Sequence, residues 1–250
     1  MSAASEVPIR SDWPLLIAGE RREARDGSTT VLTEPATGEP LATVSQGGAA
    51  DVDAALAAAT EEFERGSWRQ TNATERGRTL ARVASLLRDR AEEFALAESR
   101  GAGHPISNAR WEVGTAADVF DYFAGAANKH FGDAVPVQDA GLDVVLREPV
   151  GVCGLIVPWN FPLMITCWKV APALACGNPV IIKPASLTPL TALLLGEVLV
   201  EAGVPPAAVN VVVGPGSPVG ERLVADPRVD KISFTGETAT GAGILRASSD

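Results

Sequence analysis

The feature that most constrains the fold of this chain is a regular alternation of strand-like and helix-like segments after residue 150. The predicted strands are the apolar runs VGVCGLIV (150–157), PVIIK (179–183), VNVVVG (209–214) and KISFTG (231–236). Predicted helices lie between them, over residues 162–176, 189–203 and 218–225, and Thr188 and Pro189 suit the start of the second. Apolar strands that alternate with helices predict an α/β fold with a parallel sheet covered on both faces. Ligands of such sheets bind beyond the carboxyl ends of the strands.

The residues before 150 predict short strands, three helices and a hairpin. Strands are predicted within residues 14–46, with turns at 18–20 and 36–38. Apolar residues at helical spacing predict one helix that contains 52–63, a second from an Asn72 cap through Phe94, and a third that contains 106–120.

Residues 132–145 predict a hairpin that turns near residues 139–141. We therefore divide the chain into an N-terminal region of strands and helices (1–131), a hairpin (132–147) and a core (148–250).

Charge and composition exclude several classes of protein. The 250 residues carry 31 acidic and 21 basic side chains, a formal net charge of −10, whereas a nucleic-acid binder needs a basic face. A membrane helix needs roughly 20 consecutive apolar residues, and the longest candidate run, 190–200, contains Glu197. The first ten residues lack the apolar core of a secretory signal, so we expect a cytoplasmic enzyme that binds neither nucleic acid nor membrane.

The cysteines and histidines give no indication of a metal site. Cys153, Cys167 and Cys176 form no C-x-x-C pair, which predicts reduced thiols. The first lies within a predicted strand and the other two on a predicted helix, so we expect them to be packing residues and not nucleophiles. His104 and His130 have no partner at ligand spacing.

Two glycine-rich turns follow predicted strands. The turn at 214–220 is one residue longer than the dinucleotide fingerprint G-x-G-x-x-G and follows the third strand, so alone it is a weak signal. Residues 236–241 repeat the arrangement, again between a strand and a helix. Two such turns at one sheet edge favour a nucleotide over coincidence.

Two polar residues at strand ends each allow two interpretations. Lys183 is either a solvated residue at the end of its strand or a donor to ribose hydroxyls and phosphate. Asn160, in the sequence PWNFP, is either a turn or cap residue or the side-chain donor of an oxyanion hole.

Five motifs, taken in order, resemble the aldehyde dehydrogenase superfamily along nearly all of the chain. They are EPATGE (34–39), EPVGVCGLIVPWNFP (148–162), WKVAPALACGN (168–178), KPAS (183–186) and FTGETATG (234–241).

The resemblance implies NAD(P)-dependent oxidation of an aldehyde to a carboxylic acid, through a cysteine thiohemiacetal and thioester, on a Rossmann-like core. It implies that Asn160 is the oxyanion-hole side chain, that Lys169 lies near the catalytic centre, and that 132–147 is an oligomerisation hairpin of a homodimer or homotetramer. The implied contacts to NAD or NADP are Ile156, Pro158, Trp159, Lys183, Ser186, Gly216, Gly220, Phe234, Thr235, Gly236, Glu237 and Thr240.

The chain also departs from the family pattern. Neither the Glu-Leu-Gly-Gly-Lys motif with the catalytic glutamate nor the motif of the nucleophilic cysteine occurs before the last residue, Asp250. We therefore expect the N-terminal half of such an enzyme, inactive alone and without the thiol-bearing domain. Ser186 stands where NAD-using members often have glutamate, and Glu237 where many have serine. An acylating, CoA-dependent dehydrogenase and a nucleotide-binding fragment or pseudoenzyme remain the alternatives.

Overall fold

The computed structural model describes residues 9–248, which form eleven β-strands and eight α-helices. The strands are β1 (Asp12–Trp13), β2 (Leu15–Ile17), β3 (Glu20–Arg22), β4 (Thr29–Thr33), β5 (Pro40–Ser45), β6 (Asp133–Val135), β7 (Asp143–Val145), β8 (Cys153–Ile156), β9 (Val180–Lys183), β10 (Val209–Val211) and β11 (Lys231–Phe234). The helices are α1 (Ala49–Arg65), α2 (Ala73–Asp89), α3 (Ala91–Ala102), α4 (Ile106–Ala126), α5 (Pro162–Ala175), α6 (Leu190–Glu201), α7 (Glu221–Ala225) and α8 (Thr238–Ala247). The expectations for the start of the chain and for its end at Asp250 fall on residues 1–8 and 249–250, outside the described residues.

A six-stranded sheet forms the centre of the fold, in the order β11-β8-β9-β10-β2-β3. The first four strands are parallel, whereas β2 and β3 extend the sheet in antiparallel pairing. The register places Ile156 opposite both Lys183 and Phe234, so three strand ends lie side by side. The predicted α/β fold is confirmed, and the sheet is mixed because two N-terminal strands join its edge.

The helices bury apolar faces against the sheet and against one another. In α2, Leu80, Val83, Ala84 and Leu87 recur at helical spacing and are fully buried, which is the pattern of an amphipathic helix. Helix α6 is apolar on nearly all sides and packs against β2 and β10 on one side and against α3 and α5 on the other. Within residues 9–248, no helix combines the length and apolar character needed to cross a lipid bilayer.

Several element boundaries differ from the sequence prediction, most clearly at the ends of helices. The helix predicted through Phe94 is two helices, α2 and α3, which meet at Arg90 (φ −104°, ψ 20°). The apolar periodicity continues across this single residue, and no glycine or proline marks the break, so the sequence does not reveal it. Thr188 does not cap α6, because its Oγ1 is buried without a hydrogen-bond partner among the described residues. Helix α7 begins at Glu221, after an irregular helical turn at Gly216–Gly220.

Strands β6 and β7 form the predicted hairpin, with Asp133 opposite Val145. Large apolar side chains on and beside this hairpin face solvent, since Leu142 is 84% exposed, Leu146 75% and Phe131 73%. Clusters of exposed apolar side chains on this scale are typical of surfaces that bind other protein segments.

A substitution in α6 tests how closely this helix packs on the sheet. A Cβ at Gly196 would lie 2.5 Å from Leu16 Cδ2 and 2.9 Å from Val211 Cγ2. We expect Gly196→Ala to lower the free energy of unfolding by about 1–3 kcal/mol, the usual cost of overpacking a core. Urea unfolding of the variant and the wild type measures this change.

The matched control is Gly114→Ala in α4, where an added Cβ meets no atom within 4 Å. There helix propensity predicts a gain of up to about 1 kcal/mol, because alanine loses less backbone entropy than glycine on folding. Equal effects of the two substitutions would contradict the close approach of α6 to the sheet.

Candidate functional site

A cleft of about 760 Å³ opens where β8, β9 and β11 end. Its walls are the residues that follow these strands, the helical turn at Gly216–Gly220, and helices α7 and α8. The structure brings all of the residues predicted to contact the cofactor to this cleft except Ser186. They are Ile156, Pro158, Trp159, Lys183, Gly216, Gly220, Phe234, Thr235, Gly236, Glu237 and Thr240.

Lys183, the last residue of β9, places a positive charge at the wall of the cleft. It is only 7% exposed, and its Nζ donates a hydrogen bond to the Pro184 carbonyl at 3.3 Å. No carboxylate within residues 9–248 pairs with it, and burial lowers its pKa to about 8. This burial excludes the interpretation of Lys183 as a solvated residue at the end of its strand. A buried cation with free donor capacity favours a ligand that carries phosphate or hydroxyl groups.

The glycines of the two turns lie where other side chains come close. A Cβ at Gly220 would lie 3.5 Å from Lys183 Cε, so the turn covers the lysine stem. A Cβ at Gly236 would lie 2.6 Å from the Phe234 ring, which folds back over this residue. These glycines therefore let the backbone approach the cleft closely, as a bound nucleotide requires.

Helix α8 begins at the cleft with an open N-terminus. Its N-cap residue, Glu237, makes no side-chain cap hydrogen bond, and Thr240 in the first turn lines the cleft. Free N–H groups at a helix N-terminus attract anions. The Glu237 carboxylate opposes this attraction, because it lines the same cleft.

Asn160 lies in the turn between β8 and α5, beside the cleft and not in its wall. It is exposed, and its side chain has no hydrogen-bond partner in the described part of the chain. The turn leaves two large side chains in solvent beside it, with Trp159 63% and Phe161 42% exposed. Helix α5 begins after the N-cap residue Phe161, so Asn160 is not the helix cap, and its amide is free to donate to a ligand.

Lys169 projects from α5 toward the end of β11. Its Nζ donates to the Ser233 hydroxyl at 2.9 Å, one residue before Phe234. Burial lowers the pKa of Lys169 to about 8. An amine with a pKa near neutral can hold or release a proton under physiological conditions.

Ser186 lines an adjoining cavity of about 410 Å³, and Trp159 lines both this cavity and the cleft. The acids of α6 do not reach either space. Glu197 forms ion pairs with Arg10 at 2.6 Å and Arg21 at 2.8 Å, and Glu201 lies 3.3 Å from Arg90.

Sequence reasoning missed the apolar wall of the cleft. Ile244 and Ala247 lie on the face of α8 that also carries the predicted contact Thr240, and Val224 and Ala225 of α7 complete the wall. In the structure no residue of α8 is buried, so its apolar face is left to line the cleft. The sequence pattern alone does not distinguish this face from one packed in a core. The remaining lining residues that were missed are Val157, Ala185, Ser217, Glu221 and Gly243.

None of the three cysteines lines the cleft. Cys153 and Cys167 are buried, and burial raises the pKa of both thiols, as expected of packing residues. Cys176 is exposed, so the expectation that it packs in the core is wrong. It stands at the end of α5, where the chain leaves the core. His104 gains a partner that sequence spacing did not reveal, because its Nδ1 lies 2.9 Å from Glu112 Oε1.

The geometry suits a ligand with an apolar ring system and anionic groups. The apolar wall of α7 and α8 can bind a flat ring, while Lys183 and the α8 N-terminus can bind hydroxyl and phosphate groups. Asn160 and Lys169 lie beside the cleft with one free amide and one amine of lowered pKa. Together they offer hydrogen-bond donation and proton transfer next to the cleft.

Comparisons with known proteins agree with this geometry. The mouse (Mus musculus) cytosolic 10-formyltetrahydrofolate dehydrogenase is 42% identical over 250 residues, which cover 98% of this chain and 28% of that protein. The betaine aldehyde dehydrogenase of Bacillus subtilis (strain 168) is 41% identical over 237 residues, covering 94% of this chain and 48% of that protein. The chain thus spans about half or less of the length of these relatives.

Among solved structures, an NAD-dependent aldehyde dehydrogenase from Sinorhizobium meliloti superposes with a TM-score of 0.93 at 39% identity. The match covers 100% of this chain and 50% of that one. The model of the aldehyde dehydrogenase family matches residues 22–250. The chain therefore belongs to the aldehyde dehydrogenase family.

Proposed function

We propose that this chain binds NAD or NADP and supplies the oxyanion-stabilising amide for the oxidation of an aldehyde to a carboxylic acid. The observation that carries the proposal is the single cleft to which residues from β8, β9, β11, α7 and α8 converge around the buried Lys183. The Sinorhizobium meliloti neighbour is described as NAD-dependent and the Bacillus subtilis relative as a betaine aldehyde dehydrogenase, which supports the reaction class.

The residues of the cleft fit a dinucleotide. Lys183 is a buried cation without a carboxylate partner in the described residues, so ribose hydroxyls or a phosphate would supply the hydrogen-bond acceptors that it lacks. The open N-terminus of α8 suits the pyrophosphate, and the apolar face of Ile244 and Val224 suits the adenine ring. When bound, the nicotinamide supplies the hydride acceptor of the reaction.

Asn160 and Lys169 are the residues of this chain that we propose to act on the substrate. A tetrahedral intermediate carries negative charge on the former carbonyl oxygen, and a fixed amide N–H lowers its free energy because no solvent must reorganise. The side-chain amide of Asn160 has no competing partner among residues 9–248 and is exposed beside the cleft. Lys169, with its pKa lowered to about 8, can transfer a proton at the same end of the sheet.

A nucleotide-binding chain without chemistry of its own is the second candidate. The observation in its favour is that no cysteine lines the cleft and that the Cys153 and Cys167 thiols have raised pKa values. In the family the nucleophile is a cysteine thiolate, so the two candidates differ in whether these residues act together with a thiol-bearing domain.

We also propose that the β6–β7 hairpin joins subunits in a homodimer or homotetramer. Its exposed Leu142 and the neighbouring Leu146 and Phe131 would be buried in such an interface. A cytoplasmic location is consistent with the unpaired cysteines.

Residues 1–250 alone test whether this chain binds the cofactor but needs a separate thiol-bearing domain for catalysis. We expect the purified chain to bind NAD, measured by fluorescence titration, and to oxidise no aldehyde, because the nucleophilic thiol is not among the residues of the cleft. Measurable NADH production from an aldehyde by this chain would contradict the need for a separate thiol-bearing domain. Failure to bind either cofactor would contradict the proposed cofactor site.

Asn160→Ala tests the oxyanion amide in the active enzyme. Loss of a single oxyanion-hole donor lowers kcat by on the order of 10²–10³, and we expect that range here with an unchanged melting temperature. Stopped-flow hydride transfer and thermal unfolding on one sample separate catalysis from stability. Asn108→Ala, at an exposed position of α4, is the matched control and should retain full activity. A stability loss without a kcat loss at residue 160 would assign Asn160 a turn role only.

Ser186→Glu tests cofactor choice. A carboxylate beside the adenosine ribose accepts hydrogen bonds from the hydroxyls of NAD and repels the 2′-phosphate of NADP. Ser186 is uncharged and stands beside a cavity of about 410 Å³, three residues after Lys183, so we expect the active enzyme to use NADP as well as NAD. The variant should lower kcat/KM for NADP by about tenfold or more, since about 1.4 kcal/mol of repulsion is a factor of ten.

The control for this prediction is Ser107→Glu, which adds the same charge at an exposed position of α4. It should leave the NADP to NAD ratio of kcat/KM unchanged. A wild type that strongly prefers NAD, with a ratio that Ser186→Glu does not change, would show that residue 186 does not face the ribose.

A further inference from the structure

The turn that carries Asn160 is held at both ends by hydrogen bonds to other elements. On the strand side, Val157 N–H donates to the Lys183 carbonyl at 3.0 Å. On the helix side, Leu163 N–H donates to Glu98 Oε1 at 3.1 Å. Between these two bonds, residues 159–161 are exposed. The direction of the Asn160 amide therefore depends on the two bonds and on the contacts of the Phe161 ring.

Glu98 supplies α5 with a cap that its own sequence lacks. The first N–H groups of a helix have no partner within the helix, and a side chain just before the helix usually accepts from one of them. Phe161, the N-cap residue of α5, makes no such hydrogen bond. Glu98 belongs to α3, lies 65 residues earlier in the sequence, and accepts from the second residue of α5 instead. It is 1% exposed.

The carboxylate is fixed by a second hydrogen bond. Glu98 Oε2 accepts from the Thr191 hydroxyl of α6 at 2.7 Å, so both oxygens are used and the side chain joins α3, α5 and α6. A leucine at this position would avoid the cost of a buried charge. The carboxylate therefore gives a fixed direction to the start of α5, which an apolar side chain does not provide.

His104 holds the other side of the same turn. Its ring lies 5.4 Å from the Phe161 ring in an edge-to-face arrangement, a geometry that aromatic pairs prefer. The imidazole is itself oriented by Glu112, whose Oε1 lies 2.9 Å from His104 Nδ1 and whose side chain is 2% exposed.

We propose that Glu98 is a positioning residue for the Asn160 amide, acting as a cap supplied to α5 from α3, and that His104 assists it through Phe161. The role in catalysis rests on the proposed function of Asn160, whereas the cap and its effect on the turn do not. Neither Glu98 nor His104 lines the cleft, so their effect on catalysis passes through residues 158–163.

The charge state of Glu98 gives this cap a measurable signature. Burial raises the pKa of Glu98 to about 7, although the hydrogen bonds from Thr191 and Leu163 favour the ionised form. The titratable groups that face it are Glu112 from α4, His104 from the loop before α4, and Cys167 from α5. Above this pKa the Leu163 N–H donates to a carboxylate, and below it to a neutral acid, which is the weaker acceptor.

Nuclear magnetic resonance of the whole chain tests the cap without any activity. We expect the Leu163 amide proton to titrate with a midpoint near pH 7 in the wild type and not in Glu98→Gln, because glutamine keeps a neutral acceptor at all pH values. In Glu98→Ala the Leu163 amide should exchange with solvent at least about tenfold faster, and the side-chain NH₂ signals of Asn160 should shift. In Glu98→Gln the Asn160 signals should stay near the positions that they have in the wild type at low pH.

The same variants in the active enzyme test positioning. Misplacement of a catalytic group by about 1 Å costs up to about 10²-fold in rate. We expect Glu98→Ala to lower kcat by about tenfold, with the KM for NAD within twofold of the wild-type value. Glu98→Gln should retain most of the wild-type kcat. Glu197→Gln is the matched control, because it removes a half-buried carboxylate of α6 that pairs with Arg10 and Arg21. It should leave kcat and the Asn160 signals unchanged.

The possible results distinguish the positioning role of Glu98 from the proposed function of the chain. Asn160 signals that do not move in Glu98→Ala, or a Leu163 amide that titrates equally in Glu98→Gln, would overturn the positioning role whatever the enzyme does. Movement of these signals, together with an unchanged kcat of Asn160→Ala in the active enzyme, would support the cap and overturn the proposed role of Asn160 instead. If Glu98→Ala does not fold, Thr191→Val, which frees Glu98 Oε2, should shift the same Leu163 and Asn160 signals by a smaller amount, and unchanged signals would again overturn the role.

Discussion

The in-register parallel pairing of β8 with β9 and β11 is the constraint on which the rest of the site depends. It sets Ile156 beside Lys183 and Phe234 at one edge of the sheet. Each of these strands is four residues long. Because side chains alternate between the two faces, a shift of one residue would turn Lys183 to the opposite face of the sheet. Val180, Ile181 and Ile182 are apolar and buried, so among the residues of β9 it is the charged Lys183 whose placement depends most on the register.

The strand ends and glycine turns could be predicted from the sequence, because they depend on local patterns. Apolar runs predict buried strands, and Lys183, Gly216 and Gly236 follow such runs within a few residues. The apolar wall of α8 was missed, because in the sequence Ile244 and Ala247 look like part of any amphipathic helix. The break at Arg90 was missed because periodicity continues across it, and no local signal predicts the tertiary contacts that direct α3 away from α2.

The supports of Asn160 could not be predicted at all. Glu98 lies 65 residues from Leu163, and His104 and Glu112 look in the sequence like ordinary polar positions on and between helices. Only the packing of α3 and α4 against α5 brings them to the turn. The residues that would contact a ligand follow local sequence patterns, whereas the residues that orient them are set by tertiary structure, and this difference limits what a single sequence reveals.

The site combines both signs of charge, because Lys183 lines the cleft together with Glu221 and Glu237. The formal net charge is −10, yet the sheet edge holds Lys183 and Lys169, and the nearest acids of α6 are neutralised by Arg10, Arg21 and Arg90. Burial lowers the pKa of both lysines to about 8, so both are charged below that pH and lose their charge as the pH rises through it. An anionic ligand raises these pKa values by favouring the charged forms. The attraction of this edge for an anion therefore comes from two desolvated amines, and it weakens above about pH 8 even though the overall charge changes little.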